Sequence, residues 1–224
     1  MYSNTNGILL QLQDKWRNKE FDPTGNISIL GASFVANKDH ILKEPNHEYI
    51  KAEIEWYKSQ SLSVKDLFEI YGKKVKIWDA IKDREGFINS NYGWCIWSEE
   101  NQLQYNMAYT ELYTNPKSRR AVMIYNRPTM HNDFWNTGGD DFICTNAVHY
   151  YIVDGILRCV VQMRSNDAVF GYNNDYAWQR HVLFTLARDL YVKPGRIFWQ
   201  VANFHVYPRH FHLIEESLNN DQIK

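Results

Sequence analysis

The run "DFICTNAVHYYIVDG", residues 141–155, decides how this chain is read. It is rich in β-branched and aromatic residues and ends on Asp154-Gly155, the dipeptide that most strongly signals a two-residue turn between antiparallel strands. The following run to Asp167 is again β-rich, so a hairpin is predicted. A two-residue loop fixes register: Val153 faces Ile156 and, if no bulge intervenes, Cys144 lies opposite Ser165 and beside Arg164. A guanidinium near a thiol favours the thiolate, the form that attacks electrophiles. The same cysteine also reads as a small hydrophobe sharing a strand face with Phe142, Val148 and Tyr150, and spacing leaves both open. His149 projects to the face opposite Cys144, so no local Cys–His pair supports a cysteine hydrolase.

Around the hairpin, 224 residues that are 44% hydrophobic can bury one sizeable core. No repeat or Pro/Gly/Ser-rich linker interrupts them, so residues 1–224 are expected to form a single catalytic domain. A net charge of −1 gives no reason to expect a polyanion, and hence no direct nucleic-acid partner. No apolar run approaches the roughly 18 residues that suggest a membrane span, and the N-terminus lacks a secretory pattern; a cytoplasmic protein is expected. The three cysteines, Cys95, Cys144 and Cys159, are odd in number and match no zinc spacing, which argues against a disulfide framework and against a metal site. Cys95 and Cys159 read as buried small hydrophobes.

Periodicity predicts helices at 8–16, 47–60, 98–113 with Ser98 as N-cap, and 174–191, with short helical pieces near 64–71 and 78–82. Strands are predicted at 26–35, 120–126 and 195–207 beside the hairpin. Helices interleaved with strands make an α/β or α+β domain around one mixed sheet.

Several polar residues stand out against this pattern. In the helix at 47–60, Tyr49, Ile50, Ile54 and Tyr57 form an apolar stripe, and Glu53 falls on it. A carboxylate aimed inward is either functional with a raised pKa or an edge residue reaching solvent or an arginine. Asp175 reads as an N-cap or first-turn acid, yet it also heads the stripe continued by Trp178, Val182 and Leu186. Arg119 and Arg120 read either as a phosphate clamp or as a solvated basic pair. His205 and Tyr207 share a strand face, where their polar tips either bind a sugar or satisfy the core.

Together these residues resemble the thymidylate synthase superfamily from about Ile27 to Phe211. Cys144, then "MRSND" (163–167), then "FGYNNDYAW" (170–178) follow the family's order of nucleophile, Arg-Ser pair, glycine loop and helix. The paired arginines, the "ExxW" from Glu53 to Trp56, the "NYG" at 91–93 and the "HVY" at 205–207 also fall in matching order. Within the superfamily, "GASFVA" (31–36), "INSNYGWCIWSE" (88–99) and "RSNDAVFGYNNDYAWQ" (164–179) are similar to the bacteriophage deoxycytidylate hydroxymethylase branch. Thymidylate synthases have histidine after the cysteine, where this chain has Thr145. They read uracil with an asparagine, where this chain has Asp175.

The resemblance implies a thymidylate synthase fold, with a mixed, mostly antiparallel sheet packed by helices. It also implies the transfer of a one-carbon unit from 5,10-methylenetetrahydrofolate to carbon 5 of dCMP. Cys144 would add to carbon 6, Asp175 would hold the cytosine edge, and Glu53 would activate the water that completes a hydroxymethyl group. Arg164 and Ser165, with Arg119 and Arg120 from a second subunit, would hold the 5′-phosphate of the nucleotide, which requires a homodimer. His205, Tyr207 and Tyr92 would contact the substrate, and Trp78 and Asp167 the folate. The implied setting is the host cytoplasm, with other phage nucleotide-synthesis enzymes as further partners.

Uracil presents a ring N–H donor and a carbonyl acceptor, which an asparagine amide satisfies, whereas cytosine presents the reverse. A carboxyl group that carries or shares a proton matches cytosine. The wrong base leaves mispaired polar groups costing about 1–3 kcal/mol, or roughly tenfold to hundredfold discrimination. Reductive methylation of dCMP by the same route, and a non-catalytic nucleotide-binding subunit, are the alternative functions. Two departures stand against the family pattern. Pro23 occupies the place of a basic residue before Thr24-Gly25 in the phosphate loop, and the tail "LNNDQIK" lacks the family's folate-closing end.

Overall fold

A computed structural model describes residues 3–130 and 139–221. Residues 222–224, the end of the tail singled out above, lie outside the described residues. The chain packs into two units, Met1–Pro45 with Val153–Lys224, and Asn46–Ile152.

In the first unit, helix α1 (Thr5–Arg17) starts on Asn4, whose side chain accepts the Gly7 amide, and buries Ile8 and Leu12. Strand β1 (Ile27–Ala36) runs antiparallel to β5 (Lys193–Val206), from Ile27↔Val206 to Ala36↔Ile197. Strand β4 (Ile156–Asp167) runs parallel to β5, from Ile156↔Lys193 to Asp167↔His205. Parallel neighbours need a long crossover, and helix α7 (Gly171–Asp189) supplies it. Its apolar stripe buries Trp178, Val182, Leu183 and Leu186 completely, each contributing about 1.5–3 kcal/mol of hydrophobic stabilisation. A short 3₁₀ turn (Pro208–His210) and helix α8 (Phe211–Asp221) follow β5.

The face that each strand buries changes along one line across this sheet. In β4 the buried positions are Leu157, Cys159, Val161 and Met163, and then Asn166. In β5 they are Ile197, Trp199 and Val201, and then Phe204, His205 and Val206; in β1, Ile27 and Ile29, and then Ala32, Phe34 and Ala36. The three switches lie side by side, because Leu30↔Asn203 and Ser165↔Asn203 are neighbouring register pairs. Gly31, with φ +66°, marks the bend in β1, a conformation that glycine adopts without steric cost.

In the second unit, α2 (His47–Ser59) is capped by Asn46, whose side chain accepts the Tyr49 amide. Helices α3 (Val64–Tyr71), α4 (Lys76–Ile81), α5 (Tyr92–Trp97) and α6 (Gln104–Thr114) follow. Strand β2 (Val122–Ile124) pairs antiparallel with β3 (Thr145–Val153). The buried Asn91 donates to the carbonyls of Trp56 and Ser61 at 3.0 and 2.8 Å and accepts the Trp94 amide, so it pins α5 to the end of α2. A Cβ on Gly93 would lie 1.7 Å from the Tyr57 carbonyl oxygen, so only glycine allows this approach.

Two residues, Asp154 and Gly155, connect β3 to β4, with φ of +54° and +70° as a type I′ turn requires. The predicted hairpin turn is therefore present. Three local expectations change. The helix predicted at 98–113 begins only at Gln104, and Ser98 is the C-cap of α5; its hydroxyl accepts from the Asn101 backbone. α7 begins at Gly171, three residues early, so Asp175 stands in its second turn and is neither N-cap nor first-turn acid. Cys144 immediately precedes β3.

Candidate active site

Helix α2 turns Ile50, Glu53, Trp56 and Tyr57 inward, with Trp56 fully buried and Tyr49 and Ile54 half-buried at the edges of that face. Glu53 is 4% exposed, so of its two readings the interior one holds. Its Oε1 accepts the Tyr49 hydroxyl and, at 3.3 Å, the indole N–H of Trp78. The same indole N–H lies 2.8 Å from the Tyr49 hydroxyl oxygen. Burial pushes the Glu53 carboxyl up to about 7, while the Tyr49 and Trp78 hydrogen bonds hold it from rising further. Burial and the adjacent carboxylate in turn push the Tyr49 phenol well above its ordinary range. Tyr49, one of the apolar stripe by its spacing, is thus a polar partner of Glu53 that periodicity alone does not mark.

Cys144 is half-buried, with Sγ 3.9 Å from the Phe142 carbonyl. The buried Asp141 carboxyl, three residues earlier, accepts the Asn89 and Ser90 amides at 2.6 and 2.7 Å and the Ser90 hydroxyl at 2.5 Å. On the other side, Thr145 donates its hydroxyl to Tyr92 Oη at 3.1 Å. Tyr92 stacks on Tyr57, so a ring on α5 and an acid before β3 hold the chain on either side of the thiol. Cys95 and Cys159 are fully buried, as expected; burial raises the Cys95 thiol to about 12 and moves Cys159 in the same direction. Arg119 and Arg120 are exposed, and Arg120 Nε lies 3.2 Å from Glu111 Oε1.

In the first unit the switch in buried face organises the end of β4. Arg164 and Ser165 are half-buried, and Asn166 is buried at 3% exposure. The alternation of buried positions in β4 therefore breaks between Met163 and Asn166. Asn166 Nδ2 donates to Asp175 Oδ2 at 2.7 Å, while its Oδ1 accepts the Trp199 indole N–H at 3.2 Å. The Asp167 carboxyl accepts amides of Val169, Phe170 and Gly171 at 3.2, 3.1 and 3.5 Å, which caps the entry to α7. His205 is 7% exposed; Nδ1 lies 3.4 Å from the Asn203 carbonyl, and Nε2 is buried and has no hydrogen-bond partner among the described residues. Tyr207 packs edge-on against its ring at 4.7 Å. In the loop at 22–26, the Asp22 carboxyl accepts from Thr24, Asn26 and Ser28, and these bonds hold it down at about 2. Pro23 beside it is exposed.

The sequence profile of the thymidylate synthase family matches residues 17–224. The chain belongs to the thymidylate synthase family. Relatives in that family include the deoxycytidylate 5-hydroxymethyltransferase of Enterobacteria phage T2, 49% identical over 96% of this chain and 91% of that protein. The enzyme of the same name from Enterobacteria phage T4 is 50% identical over 93% and 88%. A thymidylate synthase of Coxiella burnetii is 28% identical over 66% of this chain and 56% of its own length. A thymidylate synthase fold is thus established, with its α+β composition and mixed sheet.

Among the described residues, no helix is long and apolar enough to cross a membrane, and no group of three or more His, Cys, Asp or Glu is placed to hold a metal ion.

Proposed function

We propose that the protein transfers a one-carbon unit from 5,10-methylenetetrahydrofolate to carbon 5 of deoxycytidylate and leaves it there as a hydroxymethyl group. The observation that carries this reading is the carboxyl group of Asp175, held by the buried Asn166 amide at the position where thymidylate synthases read uracil with asparagine. The names of the half-identical phage relatives point the same way.

Cys144 supplies a thiolate that bonds to carbon 6 of the ring and pushes electron density to carbon 5. Asp175 faces the amidine edge and balances the charge that builds there. The folate supplies, when bound, a carbon at the oxidation level of formaldehyde. Glu53, raised to about 7, exists in both protonation states near neutral pH, as a group that takes and returns a proton must. In this reading carbon 5 bonds to that carbon and loses its own proton as tetrahydrofolate leaves, Glu53 receives the proton of the water that adds to the resulting exocyclic methylene, and sulfur leaves carbon 6 as the ring double bond reforms.

The buried Nε2 of His205 would be satisfied by a sugar hydroxyl, beside Tyr207. Tyr92 would act from its place beside the nucleophile. Arg164 and Ser165 take the 5′-phosphate together with Arg119 and Arg120 of a second copy. The exposure of both arginines fits that use, and so does Leu30, 76% exposed in mid-strand β1, which an interface between copies would cover. For the folate, the half-buried Trp78 ring offers a stacking surface, and Asp167 retains lone-pair capacity beyond its three amides.

Following the folate during turnover of dCMP tests the reading. Tetrahydrofolate should accumulate with no dihydrofolate absorbance. Dihydrofolate appearing in step with nucleotide product would mean reductive methylation instead.

A further inference from the structure

Asn166 is a buried amide whose orientation is fixed by a group that can only donate. The Trp199 indole N–H has no acceptor capacity, and it meets Oδ1 at 3.2 Å. The amide nitrogen must therefore face Asp175 Oδ2, 2.7 Å away. Trp199 is completely buried and Asn166 nearly so, and the change of buried face near Ser165 is what brings the amide to this side of the strand.

From this geometry we infer that Asn166, oriented by Trp199, is a specificity-positioning residue that holds the carboxyl group of Asp175 in the orientation that reads a pyrimidine edge. So held, the carboxyl group offers the ring nitrogen of cytosine a shared proton and the exocyclic amino group a lone pair. Uracil reverses both demands and meets oxygen against oxygen. The inference rests on the reading of Asp175 as the cytosine partner proposed above.

The test is calorimetric binding of dCMP and dUMP, without folate, to the wild type and to Asn166→Ala, Trp199→Phe and Asp175→Asn. Asn166→Ala should weaken dCMP about tenfold to hundredfold while changing dUMP little. Trp199→Phe removes only the group that orients the amide and should lower the same ratio by a smaller factor. A purely structural role would weaken both nucleotides alike. If Asp175→Asn loses the preference for dCMP while Asn166→Ala and Trp199→Phe keep the wild-type ratio, the positioning role is wrong and the cytosine reading stands. If Asp175→Asn keeps the wild-type ratio, both fall. Should Asn166→Ala fail to fold, the ratio in Trp199→Phe decides by itself.

Discussion

Tyr49 donates its phenolic proton to Oε1 of Glu53, one turn further along α2. A donor to a carboxylate favours its ionised form, so this bond opposes the burial that drives Glu53 toward neutrality. Tyr49→Phe removes the bond and keeps the ring, and Glu53 should then titrate higher. The acid limb of the pH–rate profile for dCMP turnover is expected to move up by about 1 pH unit. An unmoved limb would show that Glu53 does not set it.

Glu53 also makes stability depend on pH. Its folded value of about 7 lies above the ordinary 4.5, so between those values the folded state binds more protons than the unfolded chain. The stabilisation from this group is complete below pH 4.5 and is lost as pH rises through about 7, a fall on the order of 2–3 kcal/mol. Glu53→Gln should lose turnover and also lose that slope, visible in denaturant midpoints measured across the same range.

Among the three thiols, only Cys144 should matter to chemistry. Cys144→Ala is expected to lower turnover by about 10⁴-fold or more while dCMP still binds. Cys159→Ala should keep turnover and lose stability by about 1–2 kcal/mol through the small cavity it leaves. Alkylation followed by peptide mapping should label Cys144 first, with protection by dCMP, since Cys95 is held near 12 by burial.

Asp141 fastens the chain before Cys144 to residues 89 and 90 through three hydrogen bonds. Asp141→Ala leaves two backbone amides and a hydroxyl without their acceptor, at a cost of about 2–4 kcal/mol in unfolding experiments. Asp141→Asn keeps an oxygen for the amides and an N–H₂ for the serine, so its loss should be well under half as large.

The regular elements were legible because their periods are local. Glu53 announced itself as a charge on a helical stripe, and the turn as an Asp-Gly dipeptide, whose two residues do take positive φ. What escaped depends on contacts distant in sequence. Tyr49 reads as one more apolar ring until Trp78, 29 residues away, fixes where its hydroxyl lies. Strict alternation would put Asn166 on the face opposite Met163, and only the switch shared by β1, β5 and β4 buries it beside Asp175 and Trp199. Gly31 was the one local sign of that switch. Gly31→Ala would force a side chain to φ +66° and should cost about 1–2 kcal/mol.

The mass of the nucleotide formed from dCMP and methylenetetrahydrofolate tests the central claim most directly. A gain of one CH₂O unit, carried on the base after fragmentation, is the outcome the account requires. A gain of one CH₂ unit, or turnover of dUMP in place of dCMP, would contradict it.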